Sequence, residues 1–290
     1  MQFPDLRACT LGALLLILAP NVVRAQTWDQ AGERAQGMGG AFVAVADDAS
    51  ALYWNPAGLA TGSTFDLQID AGKGRTSFIG AALPVLAVAY YRIHSAVSAS
   101  GDRKNGGLGE VRVSALDTQN VGASLVQTIA KTWVAASTLR AVSGGGHTAF
   151  DLDLGTMASR GTVRVGVTAR NLLEGVDTQR QVRVGAAFVP RSLPTGVLGP
   201  FSVSFDADLT RISTLEGDQR QMAAGFEQWW AKGALGTRVG LHWNTISAGD
   251  SAIAGGLTVK LPRSLFAEGH VTKGEKTGDS DWGVGVRVTF

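Results

Sequence analysis

The residues able to perform acid–base or metal chemistry are few and far apart along the chain. The histidines are His94, His147, His242 and His270, and none has a partner at the His-x-x-x-His spacing of a zinc site. A Ser–His hydrolase would need both residues on the outward face of adjacent strands, but His242 and His270 fall on the polar face. The glycine-rich run at 37–40 does not match a dinucleotide-binding loop, because the later glycine of that motif is missing and no βαβ unit surrounds the run. The sequence therefore predicts no enzyme and no cofactor or metal.

The first 25 residues have the pattern of an export signal. Arg7 precedes an apolar stretch from Leu11 to Ala19, which has the length of a signal-peptide core and is too short to span a bilayer. Val23-Arg24-Ala25 supplies small residues at both positions that a signal peptidase recognises. Cys9, the only cysteine, precedes the apolar core, which argues against a lipoprotein and leaves the mature chain without disulfides. We expect residues 1–25 to be a cleaved signal peptide.

Composition excludes several classes of function. The formal net charge is +2, and no basic run indicates nucleic-acid binding. The 38 glycines show no collagen period and favour closely packed strands and turns. After Ala25 no run of eighteen apolar residues occurs. A mature chain of this kind either stays soluble or crosses a membrane as a closed barrel, because only these options satisfy its backbone polar groups.

Strict alternation of apolar and polar residues dominates the chain after residue 63. Val163, Val165 and Val167 face one way, while Arg164 and Arg170 face the other. The same period of two recurs near 64–71, 76–82, 85–93, 120–129, 132–143, 147–158, 182–188, 201–210, 219–230, 235–244, 251–260, 264–272 and 281–290, and more weakly near 110–116. Many of these segments have the length of about ten residues that tilted membrane strands need, whereas soluble strands average about five or six. The pattern favours an antiparallel membrane barrel over a soluble β-sandwich.

Charged residues on the polar face of the strands predict what fills the barrel. They are Asp151, Asp153, Arg164, Arg170, Arg183, Asp206, Asp208, Arg238 and Arg287. An arginine facing lipid costs about 2–4 kcal/mol at the midplane, so these side chains are expected to point inward. Two interpretations stay open: ion pairs that only stabilise the interior, or a polar conduit.

Aromatic residues mark the predicted strand ends. Trp133, Trp229, Trp230, Trp243 and Trp282 fit an interfacial girdle, with core packing as the alternative. At the chain end, Trp282, Val284, Val286, Val288 and Phe290 share one face, and the sequence stops on the aromatic residue. This resembles the signal by which the barrel-assembly machinery recognises outer-membrane proteins; the alternative is an ordinary last strand.

Residues 26–63 lack alternation and carry a more specific pattern. A Gly-Met-Gly-Gly-Ala-Phe run at 37–42 is followed by Ala-Asp-Asp-Ala-Ser at 46–50 and Asn-Pro-Ala-Gly-Leu at 55–59. Asp47 or Asp48 is predicted to cap a short helix that Pro56 ends. The stretch resembles the N-terminal signature of FadL-like outer-membrane proteins, and most of all their PorV/PorQ-type branch. Arg170-Asn171-Leu172 and Arg183-Val184-Gly185 are weaker echoes of the same family.

The resemblance implies an all-β fold: a 14-stranded antiparallel transmembrane β-barrel, residues 64–290, with residues 26–63 as a hatch in the lumen. The motif implies that the hatch and ligand path include Gly39, Gly40, Phe42, Asp47, Asp48, Asn55, Pro56 and Ala57. Fatty-acid transporters of this family also carry long outer loops. Here the longest gap between predicted strands, about 95–109, is short and polar, which weakens the case for high-affinity lipid uptake.

Two functions from different classes therefore stay open for a protein of the bacterial outer membrane. The first is a channel or transporter for small hydrophobic compounds such as fatty acids. The second is a PorV-like structural or secretion-associated barrel that binds protein partners at the cell surface. Expected partners are outer-membrane lipid, the barrel-assembly machinery, and either a hydrophobic ligand or secretion-system proteins; nucleic acid is not expected.

Overall fold

The computed structural model describes residues 31–73, 77–99, 112–174, 176, 178–190, 198–214, 217–246, 251–275, 278 and 280–290. The predicted signal peptide lies outside these ranges, as do the first residues of the predicted hatch. None of the helices within them is long and apolar enough to cross a membrane.

Fourteen antiparallel strands form a closed barrel. They are β1 (Asp66–Gly72), β2 (Ser77–Leu83), β3 (Leu86–Ala99), β4 (Arg112–Ala130), β5 (Trp133–Gly144), β6 (His147–Arg160), β7 (Val163–Arg170), β8 (Gln181–Phe188), β9 (Leu198–Asp208), β10 (Gln221–Trp230), β11 (Leu235–Asn244), β12 (Ser251–Leu261), β13 (Leu265–Gly274) and β14 (Ser280–Thr289). Each strand pairs with the next, and β1 also pairs with β14, so the sheet has no open edge. Closure satisfies the backbone polar groups that an edge strand would expose to lipid. The predicted all-β barrel of fourteen strands is confirmed.

The longest hairpin differs from the sequence-based prediction. The gap expected at 95–109 begins later, because β3 continues to Ala99 and pairs with β4 from Arg112 onward, while residues 100–111 lie outside the described residues. The prediction of a separate weak strand near 110–116 is likewise wrong, since residues 112–116 belong to the same strand as 120–129. Pairing with β3 keeps residues 112–116 and 120–129 in one continuous strand, although apolar and polar residues alternate only weakly in the first part.

A short hairpin reaches over one end of the barrel. Ile212–Thr214 and Gly217–Gln219 pair within the connection from β9 to β10, and Thr214 also pairs with Val97 of β3. Strands β3 and β9 are not neighbours in the ring. The connection therefore reaches across the mouth at the end of the barrel where β3 ends at Ala99 and β4 begins at Arg112.

The two ends of the barrel differ in their connections. At one end, two-residue turns such as 84–85, 131–132 and 161–162 join the strands, and Phe65 and Phe290 exchange two backbone hydrogen bonds of 3.1 and 3.0 Å. The other end holds the longer connections 171–180 and 209–220. Bacterial outer-membrane barrels have short periplasmic turns and longer extracellular loops, so we assign the second end to the cell exterior.

The period of two separates an apolar outer wall from a polar inner wall. Outward-facing residues such as Leu125, Val165 and Val284 are exposed, whereas the inward-facing side chains are buried. Trp133 and Trp282 lie on the outer face near opposite ends, as in an interfacial girdle. Trp229 differs: its ring lies 5.7 Å from the Arg238 guanidinium on the inner face. A girdle position for Trp229 is therefore wrong.

The segment 31–63, called here the N-terminal segment, packs against the inner wall. It contains α1 (Glu33–Gly37), α2 (Ala51–Trp54) and a 3-10 helix (Pro56–Thr61). Helix α1 contacts β11–β14, and the 3-10 helix contacts β4–β6. Most of its residues are buried, including the apolar Phe42, Val43 and Leu52. Together with the inner wall of β2–β6 and β8, apolar residues of the segment make the apolar core of the molecule.

Candidate functional site

Glycines on the inner wall bring the backbone of the N-terminal segment close to the strands. Gly240 of β11 faces the Met38–Gly39 peptide, which a Cβ at position 240 would overlap. A Cβ at Gly256 of β12 would lie 3.0 Å from the Cα of Gly37. Side chains would hold a helix several ångströms further from the wall. The glycines therefore fix where α1 lies in the lumen.

Arg34 connects α1 to the barrel wall and to the acidic residues at positions 47 and 48 of the same N-terminal segment. Its guanidinium forms ion pairs with Glu227 of β10 and with Asp47 and Asp48, and lies 5.1 Å from the centroid of the Phe42 ring. Arg34 is buried, so these carboxylates raise the pKa of its guanidinium against the opposing effect of desolvation. A buried charge with this many partners holds α1 in one orientation.

The predicted capping by Asp47 is wrong, whereas Asp48 caps the turn that leads into α2 and not the helix itself. Helix α2 begins at Ala51 with Ser50 in the N-cap position and no side-chain cap. Asp48 instead accepts hydrogen bonds from the backbone N–H and the hydroxyl of Ser50, at 3.0 and 2.5 Å. Asp47 bonds Arg34. Asp47 is therefore engaged by a cation that the fold brings near, and Asp48 by a local turn to Ser50.

Asn55 fixes the end of α2 against β6. Its side-chain amide donates to the carbonyl oxygens of Val43 and Thr156, at 3.0 and 3.1 Å, and its Oδ1 accepts from the N–H of Ala57. Pro56 starts the 3-10 helix, as its ring allows at a first helical position. A Cβ at Gly155 would overlap both Asn55 and Pro56. The wall is therefore shaped around this dipeptide.

Asp206 of β9 holds the middle of the N-terminal segment. Its Oδ2 accepts from the backbone N–H groups of Phe42 and Val43, at 2.7 and 2.8 Å. Ser204 of the same strand donates its hydroxyl to the carbonyl of Ala41 at 2.5 Å. Asp206 is thus a backbone anchor, not a member of a strand-to-strand ion pair.

The other charged residues singled out in the sequence lie on the inner face, mostly in pairs between neighbouring strands or with the segment. Arg140 of β5, which the sequence analysis did not single out, forms a two-point contact with Asp153 of β6 at 2.7 and 2.9 Å. Arg183 binds Asp208 at 2.6 Å. Further contacts are Arg140–Asp151, Arg164–Asp47, Arg238–Glu227 and Arg287–Glu268. This pairing favours the stabilising interpretation over an open polar conduit.

A row of aromatic rings runs from the wall into the N-terminal segment. Its members are Phe78 of β2, Tyr91 of β3, and Tyr53, Trp54 and Phe42 of the segment. Successive centroids lie 6.3, 5.6, 5.3 and 6.1 Å apart. Arg170 lies over the face of Tyr53, 3.6 Å from its centroid. The aromatic row is a continuous apolar feature that joins the wall to the interior. Only the alternation of β2 and β3 hinted at Phe78 and Tyr91 beforehand.

No site for a metal is evident where the structure is described: its histidines and acidic residues form no group of three or more that could hold an ion. The strand that ends the chain carries Trp282, Val284, Val286 and Phe290 exposed on its outer face, with Val288 partly covered. Phe290 stacks on Phe65 at 6.1 Å.

Three solved structures share this architecture. The Ralstonia pickettii toluene transporter TbuX matches with a TM-score of 0.63 and 11% identity, covering 90% of this chain and 99% of that chain. A Pseudomonas aeruginosa FadL homologue matches with 0.59 and 8%, covering 90% and 98%. The CymD monoaromatic hydrocarbon channel matches with 0.58 and 11%, covering 90% and 98%.

Sequence comparison adds nothing to this likeness: no family model and no curated protein matches the chain. At these identities the likeness concerns the fold alone. The chain has a FadL-like fold, that of a bacterial outer-membrane barrel. The PorV/PorQ branch stays a prediction.

Proposed function

We propose that this protein is an outer-membrane channel for small hydrophobic compounds, in which residues 26–63 act as a hatch. The observation that carries the proposal is the aromatic row. Its five rings form an apolar, polarisable column that begins at the wall and continues inside the barrel, where many other inner side chains are charged. All five rings are buried, so a flat or extended apolar molecule packs against their edges and faces only when the N-terminal segment moves aside.

The names of the structural relatives agree with this proposal. TbuX is described as a toluene transporter and CymD as a monoaromatic hydrocarbon channel. For this chain, aromatic hydrocarbons and fatty acids are the two ligand classes to compare. The outer wall is apolar, so we also propose outer-membrane lipid as its surroundings and the barrel-assembly machinery as the partner that inserts it after removal of residues 1–25.

Uptake into vesicles that contain the purified barrel tests the channel and the hatch together. In the test variant Asn55 and Pro56 are both replaced by alanine. This removes the hydrogen bond from Asn55 to Thr156 of β6 and two hydrogen bonds within the segment, to the Val43 carbonyl and from the Ala57 N–H. We expect this variant to assemble and to change the rate at which a hydrophobic compound enters. The matched control is Gln127→Ala, which changes an exposed polar side chain near the periplasmic end of β4.

Two results would contradict the proposal. Unchanged uptake by a correctly assembled Asn55→Ala/Pro56→Ala protein would contradict the gating role of the segment. Wild-type vesicles no more permeable than protein-free vesicles, for both a fatty acid and an aromatic hydrocarbon, would contradict the channel itself.

The second candidate function is a secretion-associated barrel that binds proteins at the cell surface. One observation favours it: the outer connection between β5 and β6 consists of Gly145 and Gly146 alone, so no long loop rises from this hairpin. Secretion-system genes beside the gene for this chain, with co-purification of their products, would favour this function. Their absence would favour the channel.

A further inference from the structure

Exposed basic residues mark the turns at the periplasmic end of the barrel. Lys131 lies between β4 and β5, Arg160 ends β6, Lys232 lies between β10 and β11, and Arg263 lies between β12 and β13. We call these four residues the basic rim. The described turn residues at this end include no aspartate or glutamate; they are 84–85, 131–132, 161–162, 189–190, 231–234 and 262–264.

Acidic residues near this end lie inside the barrel and face arginines. Asp66, Glu227 and Glu268 are buried. Glu227 binds Arg238, and both Asp66 and Glu268 lie within ion-pair distance of Arg287. Among the described residues, no acidic side chain forms an ion pair with a member of the basic rim. The positive charge of the rim therefore stays uncompensated at the surface.

The exposed charges at the outer end are mixed in sign. Arg180 pairs with Glu174 at 3.1 Å, and Arg211 lies 3.8 Å from Asp218. These cations have acidic neighbours, whereas those of the basic rim have none among the residues that the structure describes. The two ends of the barrel therefore differ in charge, and the periplasmic end is the one that attracts anions.

Aromatic side chains on the outer wall place the basic rim relative to the membrane. Trp133 begins β5 two residues after Lys131, and Phe188 ends β8; both rings are exposed on the outer face. Aromatic girdles of such barrels lie at the membrane–water interfaces, at the level of the headgroups. A turn reaches only a short way beyond them, since a strand rises about 3.3 Å per residue. The cations of the basic rim therefore lie close to the lipid phosphates.

Two members of the basic rim hold a backbone conformation that favours glycine. The φ angle is 60° at Lys232 and 64° at Arg263, both in the left-handed region. Gly161, next to Arg160, takes the same conformation with a φ of 64°. Glycine adopts it without the steric conflict of a Cβ. Turn geometry alone therefore does not account for a cation at either 232 or 263.

We propose that the basic rim binds anionic phospholipids of the periplasmic leaflet, with each lysine or arginine directed at a phosphate group. Basic residues at a membrane surface attract anionic headgroups, and arginine binds phosphate through two parallel hydrogen bonds. The four positions are spread over turns from β4 to β13, so they hold several lipids around the barrel. The proposal rests on the outer-membrane fold and on the orientation assigned above, and not on the channel function.

Lipid selectivity of the purified, folded protein in phosphatidylcholine vesicles tests the basic rim. Traces of spin-labelled phosphatidylglycerol or phosphatidylcholine report how much of each lipid the barrel immobilises. We expect the wild type to prefer phosphatidylglycerol at least about twofold over the whole boundary, because an attraction of about fivefold per cation acts only beside the basic turns. About 1 M salt should remove the preference, since it shortens the screening length to about 3 Å.

The main variant removes all four charges, as Lys131→Gln, Arg160→Gln, Lys232→Gly and Arg263→Gly. Glycine is used at the two left-handed positions because it suits their φ. We expect the folded variant to bind both labelled lipids equally. If it does not fold, as judged by the mobility of unboiled samples, the pair Lys232→Gly/Arg263→Gly replaces it, and about half of the preference should be lost.

The matched control removes two exposed cations from the outer end, as Arg180→Gln/Arg211→Gln. It should keep the preference for phosphatidylglycerol. The proposal is overturned if the wild type shows no preference, if a folded basic-rim variant keeps the full preference, or if the control loses as much as the pair Lys232→Gly/Arg263→Gly.

Transport is measured separately so that the two ideas fail differently. Uptake of a hydrophobic compound by vesicles tests the channel, whereas the lipid preference is read from the immobilised labels alone. Uptake without a lipid preference overturns the basic rim and leaves the channel. A preference that depends on the four cations, without uptake, supports the basic rim and contradicts the channel.

Discussion

The Arg34 guanidinium and the Glu227 carboxylate face each other through two parallel hydrogen bonds, Nε to Oε1 at 2.9 Å and Nη2 to Oε2 at 2.7 Å. They are 193 positions apart in sequence. Arg238 Nε also donates to Glu227 Oε1, at 2.7 Å. One barrel carboxylate therefore holds both its neighbouring strand and the first helix of the N-terminal segment.

Replacement of Arg34 by alanine should strongly lower the free energy of unfolding of the protein. Arg34→Ala leaves Glu227, Asp47 and Asp48 with less positive charge in a buried site, and breaking such a pair costs about 3–5 kcal/mol. Urea titration followed by the gel mobility of unboiled samples measures the loss. The control Arg180→Ala breaks an exposed pair with Glu174 and should cost no more than about 1 kcal/mol. Equal urea midpoints for both variants would show that the buried pair contributes nothing.

A methyl group on the inner wall should dislodge the N-terminal segment without opening the barrel. In Gly240→Ala the new Cβ overlaps the Met38–Gly39 backbone, so α1 has to move away. We expect faster proteolysis within 31–63 while the unboiled barrel keeps its compact mobility. Gly255→Ala is the matched control on β12, because the nearest atom to its Cβ is the Arg238 carbonyl oxygen at 4.0 Å. The interpretation fails if the two variants are cleaved at the same rate.

The terminal aromatic residue should matter for assembly more than for packing. Deletion of Phe290, or Phe290→Asp, is expected to lower the amount of folded barrel in the outer membrane. Phe65→Ala removes the same ring stacking from the other side and leaves the terminal residue intact. Normal assembly of Phe290→Asp would show that the last strand is ordinary. Equal defects in Phe65→Ala and Phe290→Asp would assign the effect to packing.

The location of the protein gives a simple test of the closed sheet. The mature chain should fractionate with the outer membrane and migrate faster on gels before boiling than after it, because a barrel without an edge resists detergent. Recovery as a periplasmic protein whose mobility does not depend on boiling would contradict the outer-membrane assignment.

The alternation of apolar and polar residues was enough to predict which residues face inward on most strands. Asp151, Asp153 and Arg183 were assigned to the inner face from the period of two, and they lie there because each side chain of a strand points opposite to its neighbours. The absence of long apolar runs and the length of the segments pointed to a barrel. The single ladder of β4 was missed because its outer part alternates weakly and is held by pairing with β3.

Only the tertiary structure decided which inward-facing groups meet. The sequence offers no reason to join Arg34 to Glu227, to seat Glu33 over Gly283, or to turn Trp229 inward. Periodicity specifies a face, but it does not specify which strand stands opposite or how near a folded-back segment comes. Those relations depend on closure of the ring and on glycines that let backbone touch backbone, and both are properties of the assembled barrel.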